Sequence, residues 1–163
     1  MATVDVSNGI NAGTHPSRAI RKEPYKIEID VNLADATTTK GSALTASDVL
    51  QVIDVPAKTM VWAAGLEVVT PNDGDFQIDI GTGADPDAFA DNFDCDGTST
   101  GDMTNLPAAY QPQVVSSDDT IDVVIGPTVG SADPTSGVWR VFAVMQDVSD
   151  DLGPDEVDRD QLA

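Results

Sequence analysis

The chain has 163 residues, enough for one domain with a substantial core, and carries 28 Asp and Glu against 8 Lys and Arg, a formal charge of -20. That charge repels nucleic acid and anionic membranes, so direct binding to either is not expected. Eight basic residues and four Glu argue against long surface helices, whereas 13 Gly, 10 Pro and abundant Asp and Thr point to a turn-rich β protein.

Residues 1–24 read as an extended N-terminal arm without the basic and apolar blocks of a Sec-type signal. The arm ends in Arg18, Arg21 and Lys22, with Lys26 just beyond, so half of all basic residues fall in one short window. In a chain otherwise almost bare of positive charge, this cluster is expected to dock on carboxylates of a neighbouring subunit. The only histidine, His15, lies in the same arm, so a Ser/His/Asp triad would have to recruit it, and the usual multi-histidine zinc site is excluded.

Residues 25–33, YKIEIDVNL, alternate strictly between apolar and polar, the period of a strand with one dry face. A loop is expected over 34–47 and a second strand over 48–55, stopped by Pro56. Residues 59–70, TMVWAAGLEVVT, form the most apolar strand, with Met60, Trp62, Ala64, Leu66 and Val68 as its cleaner core face. Its apolar stretch is too short to span a bilayer. Gly65 marks a bulge or a close strand approach. The PNDG turn at 71–74 leads into a strand over 75–80, a predicted antiparallel hairpin.

Residues 81–112 read as a long loop with one short helix over 86–91, capped by Asp85 with Pro86 at its first position. Phe89 and Phe93 are its expected anchors. Further strands are predicted over 119–125 and 138–148, with two shorter ones near 3–6 and 113–115. Both faces of 138–148 are largely apolar, so this strand is central or covered at an interface, and Trp139 is a candidate assembly residue. The same two-sided apolarity at 59–69 predicts a homo-oligomer, because one sandwich dries only one face of each sheet. Residues 150–163, with six carboxylates and one Arg, read as a flexible acidic tail. The expected architecture is all-β: an antiparallel β-sandwich over 25–149, jelly-roll-like, with an immunoglobulin-like topology still open.

From residue 59 to 139 there is no Lys or Arg, yet fourteen carboxylates. Residues 92–97, NFDCDG, resemble the opening of an EF-hand loop, but the match ends at Met103, where a bidentate Glu is required. A non-EF calcium site built from Asp91, Asp94, Asp96 and Asp102 is the remaining metal candidate. Cys95 lies between two aspartates, which disfavours its thiolate and hence nucleophilic catalysis. GTGAD at 81–85 follows a strand but lacks the spacing of a nucleotide-binding loop. The chain reads as non-enzymatic, and no cofactor is required. The competing classes are a calcium- or carbohydrate-binding β module and, more remotely, a small hydrolase with paired carboxylates.

The stretches GINAGTHPSRAI, DVLQVIDVPAKTMVWAAGLEVVTPNDG, FQIDIGTGADPDAFADN and GVWRVFAVMQDVSD resemble small virion structural proteins of tailed bacteriophages, particularly marine ones. The resemblance runs from about residue 4 to 150 and contains no catalytic motif. It implies a head-decoration or other capsid-associated β protein, with the exterior of the head as the favoured location and the connector and tail still open. It further implies a homo-oligomer, with a trimer preferred, and the major capsid protein or another virion protein as partner.

Overall fold

The computed structural model describes residues 23–108, 110–126 and 134–149, and the backbone of 3–5. Nine strands and one helix follow in order: β1 (Thr3–Asp5), β2 (Tyr25–Asn32), α1 (Leu33–Lys40), β3 (Val49–Val55), β4 (Thr59–Thr70), β5 (Gln77–Gly81), β6 (Ala90–Asp94), β7 (Gln113–Val115), β8 (Asp119–Ile125) and β9 (Val138–Asp147). The expected arm residues Arg18, Arg21 and Lys22, and the tail at 150–163, lie outside the described residues.

From β2 onward the pairing is nested. β2 pairs with β9, β3 with β8, β4 with β7 and β5 with β6, all antiparallel. The chain is therefore one long hairpin rolled on itself, and the β4–β9 and β5–β8 ladders close the roll. The result is two antiparallel sheets, β2-β9-β4-β7 and β3-β8-β5-β6, with β1 added in parallel beyond β3. This is a jelly-roll sandwich, as the alternating strands and turn-rich connections predict.

The core fills the space between the sheets. From β9, Trp139, Val141, Ala143 and Met145 point inward and are fully buried. From β8, Ile121, Val123 and Ile125 face them, and Phe76 stacks on Trp139 with ring centroids 5.8 Å apart and planes tilted by 45°. Trp139 is thus a core residue. Its assignment to a contact between subunits is corrected, because no part of its side chain reaches the surface.

Strand β4 departs from simple alternation. Thr59 and Val61 are buried, then a bulge between Val61 and Ala63 shifts the phase, and Ala64, Leu66 and Val68 are buried instead. An extra residue in one strand turns the following side chains to the other face. Trp62 sits at that irregularity and is 41% exposed, so only the second half of the expected core face is correct.

The antiparallel hairpin expected at the turn over 71–74 does not form, because β4 and β5 belong to different sheets and the turn crosses between them. Two further local expectations also change. Residues expected as a loop form α1, because Asn32 caps Ala34 N–H, Asp35 lies in the first turn and Gly41 N–H closes the end on Thr37 and Thr38. Thr37, Thr38 and Thr39 are poor helix formers, but burial of Leu33 and Ala36 outweighs that preference. Lys40 in the last turn then reaches the buried carboxylate of Asp48, with side chains 11% and 2% exposed. The helix expected over 86–91 is replaced by a tight turn and β6. There the chain folds so closely over Gly81 that a Cβ would lie 2.0 Å from the Asp85 carbonyl oxygen. After one turn, Phe89 N–H bonds Ile80 O at 2.8 Å and its ring enters the core.

At one end of the sandwich, Asp73 ties the β4–β5 turn to the segment before β9. Its carboxylate accepts Thr135 N–H at 2.8 Å, Thr135 Oγ1 at 2.6 Å and Ser136 N–H at 2.9 Å. Desolvation opposes ionisation, but these bonds prevail and hold the carboxyl at about 2.

Replacing Trp139 by Ala leaves a cavity at the centre of this packing. The Trp139→Ala protein is expected to lose about 3–5 kcal/mol of stability, read as a shift of the denaturation midpoint. A loss no larger than that of a surface variant would contradict its core role.

Candidate functional site

The outward face of β2-β9-β4-β7 divides into a charged half and an uncharged half. In the charged half, cross-strand register places Arg140 of β9 opposite both Asp30 of β2 and Glu67 of β4. Its guanidinium bonds Asp30 at 2.8 and 3.2 Å and lies 3.6 Å from Glu67. The bonds and charge of Asp30, then the charge of Glu67, raise its pKa further. Lys26 pairs with Glu28 and lies 5.2 Å from the centroid of Phe142.

The uncharged half is built from β4, β7 and the segment leading to β7. Residues 59–66 and 103–117 contain no charged side chain. In β7, Val114 pairs with Met60, while the neighbouring pairs, Thr59–Val115 and Val61–Gln113, turn toward the core. Alternation therefore points Met60 and Val114 outward, and Val114 is 53% exposed. Trp62 lies next to them, its Nε1 donating to Gln146 Oε1 at 3.0 Å. The Tyr110 hydroxyl donates to the carbonyls of Val61 and Trp62 and holds the segment before β7 against the bulge.

Residues 101–104 extend the pairing along β4. Thr104 N–H bonds Leu66 O at 3.0 Å, and Leu66 N–H bonds Thr104 Oγ1 at 2.9 Å. This approach requires Gly65, since a Cβ there would meet Thr104 Oγ1 at 2.7 Å and Phe142 at 2.8 Å. The close approach expected from sequence is thus present. Met103 and Leu106 on the same segment are also exposed, so Trp62, Met103, Leu106 and Val114 are the large hydrophobic side chains left in solvent among the described residues. A surface of this composition can exclude water against a partner.

The aspartates are distributed differently from the calcium expectation. Among the described residues no three His, Cys, Asp or Glu side chains are grouped to hold a metal. The candidates Asp91, Asp94, Asp96 and Asp102 are therefore not brought into one site. Asp94 accepts Asp96 N–H at 2.9 Å, Asp102 accepts Ser99 N–H at 2.6 Å, and Asp91 accepts from the Asn92 amide, so these three carboxylates serve their own local segments. A groove of about 400 Å³ between 85–91 and 107–113 is lined by Asp85, Asp87, Asp91 and Tyr110, but its carboxylates form no such group either. Cys95 is buried, and burial, then the Asp94 charge, pushes its thiol up to about 12, far from nucleophilic use.

No protein-family model and no curated protein matches the sequence. The fold, however, is similar to solved structures. A chain from the capsid of Ralstonia phage GP4 aligns with a TM-score of 0.56 and 16% identity, over 89% of this chain and 99% of that one. A chain from the cyanophage Pam1 capsid asymmetric unit gives 0.49 and 14%, covering 76% and 83%. A chain from the acidic stable capsid structure of Helicobacter pylori bacteriophage KHP30 gives 0.47 and 12%, covering 74% and 86%. At 16% identity the likeness to the GP4 chain shows a shared fold, and a fold alone does not fix function. Among the described residues no helix is long and apolar enough to cross a membrane.

Asp122 supplies a pH test of this electrostatic picture. It is nearly buried on β8, and desolvation, then Asp119, raises its carboxyl to about 6 despite the hydrogen bond from Thr120. Its folded-state pKa exceeds the unfolded value of 3.8, so ionisation in the native state costs stability above about pH 6. That cost fades as pH falls toward the unfolded value. Asp122→Asn is expected to raise the melting temperature at pH 7.5 by roughly 5 °C and to approach wild type below about pH 4. An equal offset at both pH values would contradict the assignment.

Proposed function

We propose that this protein is a non-enzymatic structural component of a bacteriophage virion, a decoration or stabilisation protein on the exterior of the head. The observation that carries this reading is the extent of the fold match to the GP4 capsid chain, which is nearly complete for both chains. The uncharged face gives it a physical means. A chain of charge -20 resists close approach to other acidic surfaces, and that resistance is least where carboxylates are absent. Met60, Trp62, Leu106 and Val114 provide apolar area at that place, with Trp62 and Tyr110 as aromatic anchors.

In this reading the protein acts as a homo-oligomer, a trimer, seated on the major capsid protein. The basic residues Arg18, Arg21 and Lys22 meet carboxylates of a neighbour or of the shell and set the register of docking. The closed roll supplies a rigid body, and the acidic remainder of the surface keeps particles apart in solution.

The direct test is composition of gradient-purified particles by quantitative mass spectrometry. The chain is expected in fixed stoichiometry to the shell protein and absent from particles stripped of accessory proteins. Recovery only in the soluble lysate would contradict the proposal. For the surface, light scattering is expected to find an oligomer favoured by added salt. Trp62→Glu combined with Val114→Glu should give a monomer with an unchanged circular dichroism spectrum. Unaltered self-association of that variant would place the contact elsewhere.

A further inference from the structure

The jelly roll is complete without any residue before Tyr25, because its eight strands pair with one another. Strand β1 stands outside that scheme. It contributes three residues, it is parallel where the other ladders are antiparallel, and it covers the free edge of β3 in the register Thr3–Val49, Val4–Leu50, Asp5–Gln51. Strand β3 is a seven-residue strand whose side chains mostly enter the core, so its bare edge would be a template for another extended segment.

The connection from β1 to β2 is residues 6–24, which at roughly 3.3 Å per residue can span about 60 Å. Such a length tethers β1 without fixing whose β3 it meets. The three backbone pairs are the same whether β3 belongs to its own chain or to a neighbour. Charge distinguishes the two arrangements. Residues 6–22 contain Arg18, Arg21 and Lys22 and no Asp or Glu, in a chain of charge -20. A connection that crosses between two copies puts these cations in the gap where both bodies contribute negative potential. A connection that stays on its own body relieves only one.

We propose that β1 docks in trans, so that the N-terminal strand of one copy completes the five-stranded sheet of a second copy on its β3 edge. This rests on the homo-oligomer proposed above and adds the strand that is exchanged, the edge that receives it and the register. Each copy gives one strand and receives one, so a closed ring leaves no β3 edge bare. Three residues bind weakly alone, but the tether and the apolar face act together and raise the effective concentration of each contact.

The test uses two single variants of the full chain, Asp5→Cys and Gln51→Cys, which occupy paired positions in β1 and β3. The native Cys95 is buried with its thiol pushed up to about 12, so it does not compete. The variants are unfolded together, refolded, oxidised and separated by non-reducing electrophoresis. Exchange predicts a disulfide joining an Asp5→Cys chain to a Gln51→Cys chain as the main product, far above either variant oxidised alone. The double variant should give covalent oligomers. If the double variant instead yields only an intrachain disulfide while light scattering still finds an oligomer, exchange is overturned and the homo-oligomer stands. A monomer in light scattering overturns both. Failure of the double variant to form any disulfide overturns the β1–β3 register and exchange with it.

Discussion

Trp139 of β9 meets Phe76 in the space between the two sheets, and the inner residues of β2, β3, β4, β5 and β8 pack around that contact. Strand β9 can bring Trp139 there because it lies between β2 and β4, with both of its edges paired. Apolar burial supplies the driving force, at roughly 25 cal/mol for each Å² removed from water, and the nested pairing decides which residues share the core. Once β9 is fixed in the middle, the rest follows. Its outward residues Arg140, Phe142 and Gln146 mark the charged and uncharged halves of the exposed face, and β4 carries the bulge that turns Trp62 into solvent.

The few cations among the described residues are placed with economy. Arg140 lies between Asp30 and Glu67, and Lys40 serves the buried Asp48. Breaking a buried pair of the latter kind strands a charge, so Lys40 holds α1 to the start of β3 more firmly than an exposed ion pair would. The long acidic region from 59 to 139 has no such partner until Arg140. Its aspartates instead accept hydrogen bonds, within their own turns as at Asp94 and Asp102, or from a distant segment as Asp73 does from Thr135 and Ser136. Acidity therefore accompanies an elaborate set of loops, and among the described residues no three of its carboxylates are grouped to hold a metal. In the proposed function, attraction to a partner falls to the uncharged face and to the basic arm.

Strict alternation made β2, β5 and β8 legible in the sequence, and a long apolar run made β9 legible, and with them the sandwich. The pairing scheme was not legible, since partners such as Tyr25 and Met145 are far apart in the chain and periodicity carries no information about which strands meet. Helix α1 was hidden because its threonines disfavour a helix, although Asn32, Asp35 and Gly41 were signals at its ends. Strand β6 was hidden by Pro86, which makes a turn there and not a helix start, because β5 captures Phe89 and Ala90. Two-sided apolarity singled out β4 and β9 alike, but the tryptophan left in solvent is Trp62 and not Trp139. A bulge is invisible to a period-two reading, and it exposes Trp62 while Trp139 stays inside. The uncharged stretch 103–117 was a usable signal, since a run without charge in so acidic a chain marks a surface apart.

In the proposed attachment, a jelly roll of high negative charge meets its assembly through the uncharged face of β4 and β7. Near-atomic electron cryomicroscopy of intact particles tests this most directly. The account predicts density for the roll on the outer shell, with Met60, Trp62 and Val114 buried against protein and the aspartate turns at 91–102 facing solvent. Particles in which the roll is bound through those aspartate turns, with Trp62 and Val114 left in solvent, would contradict it.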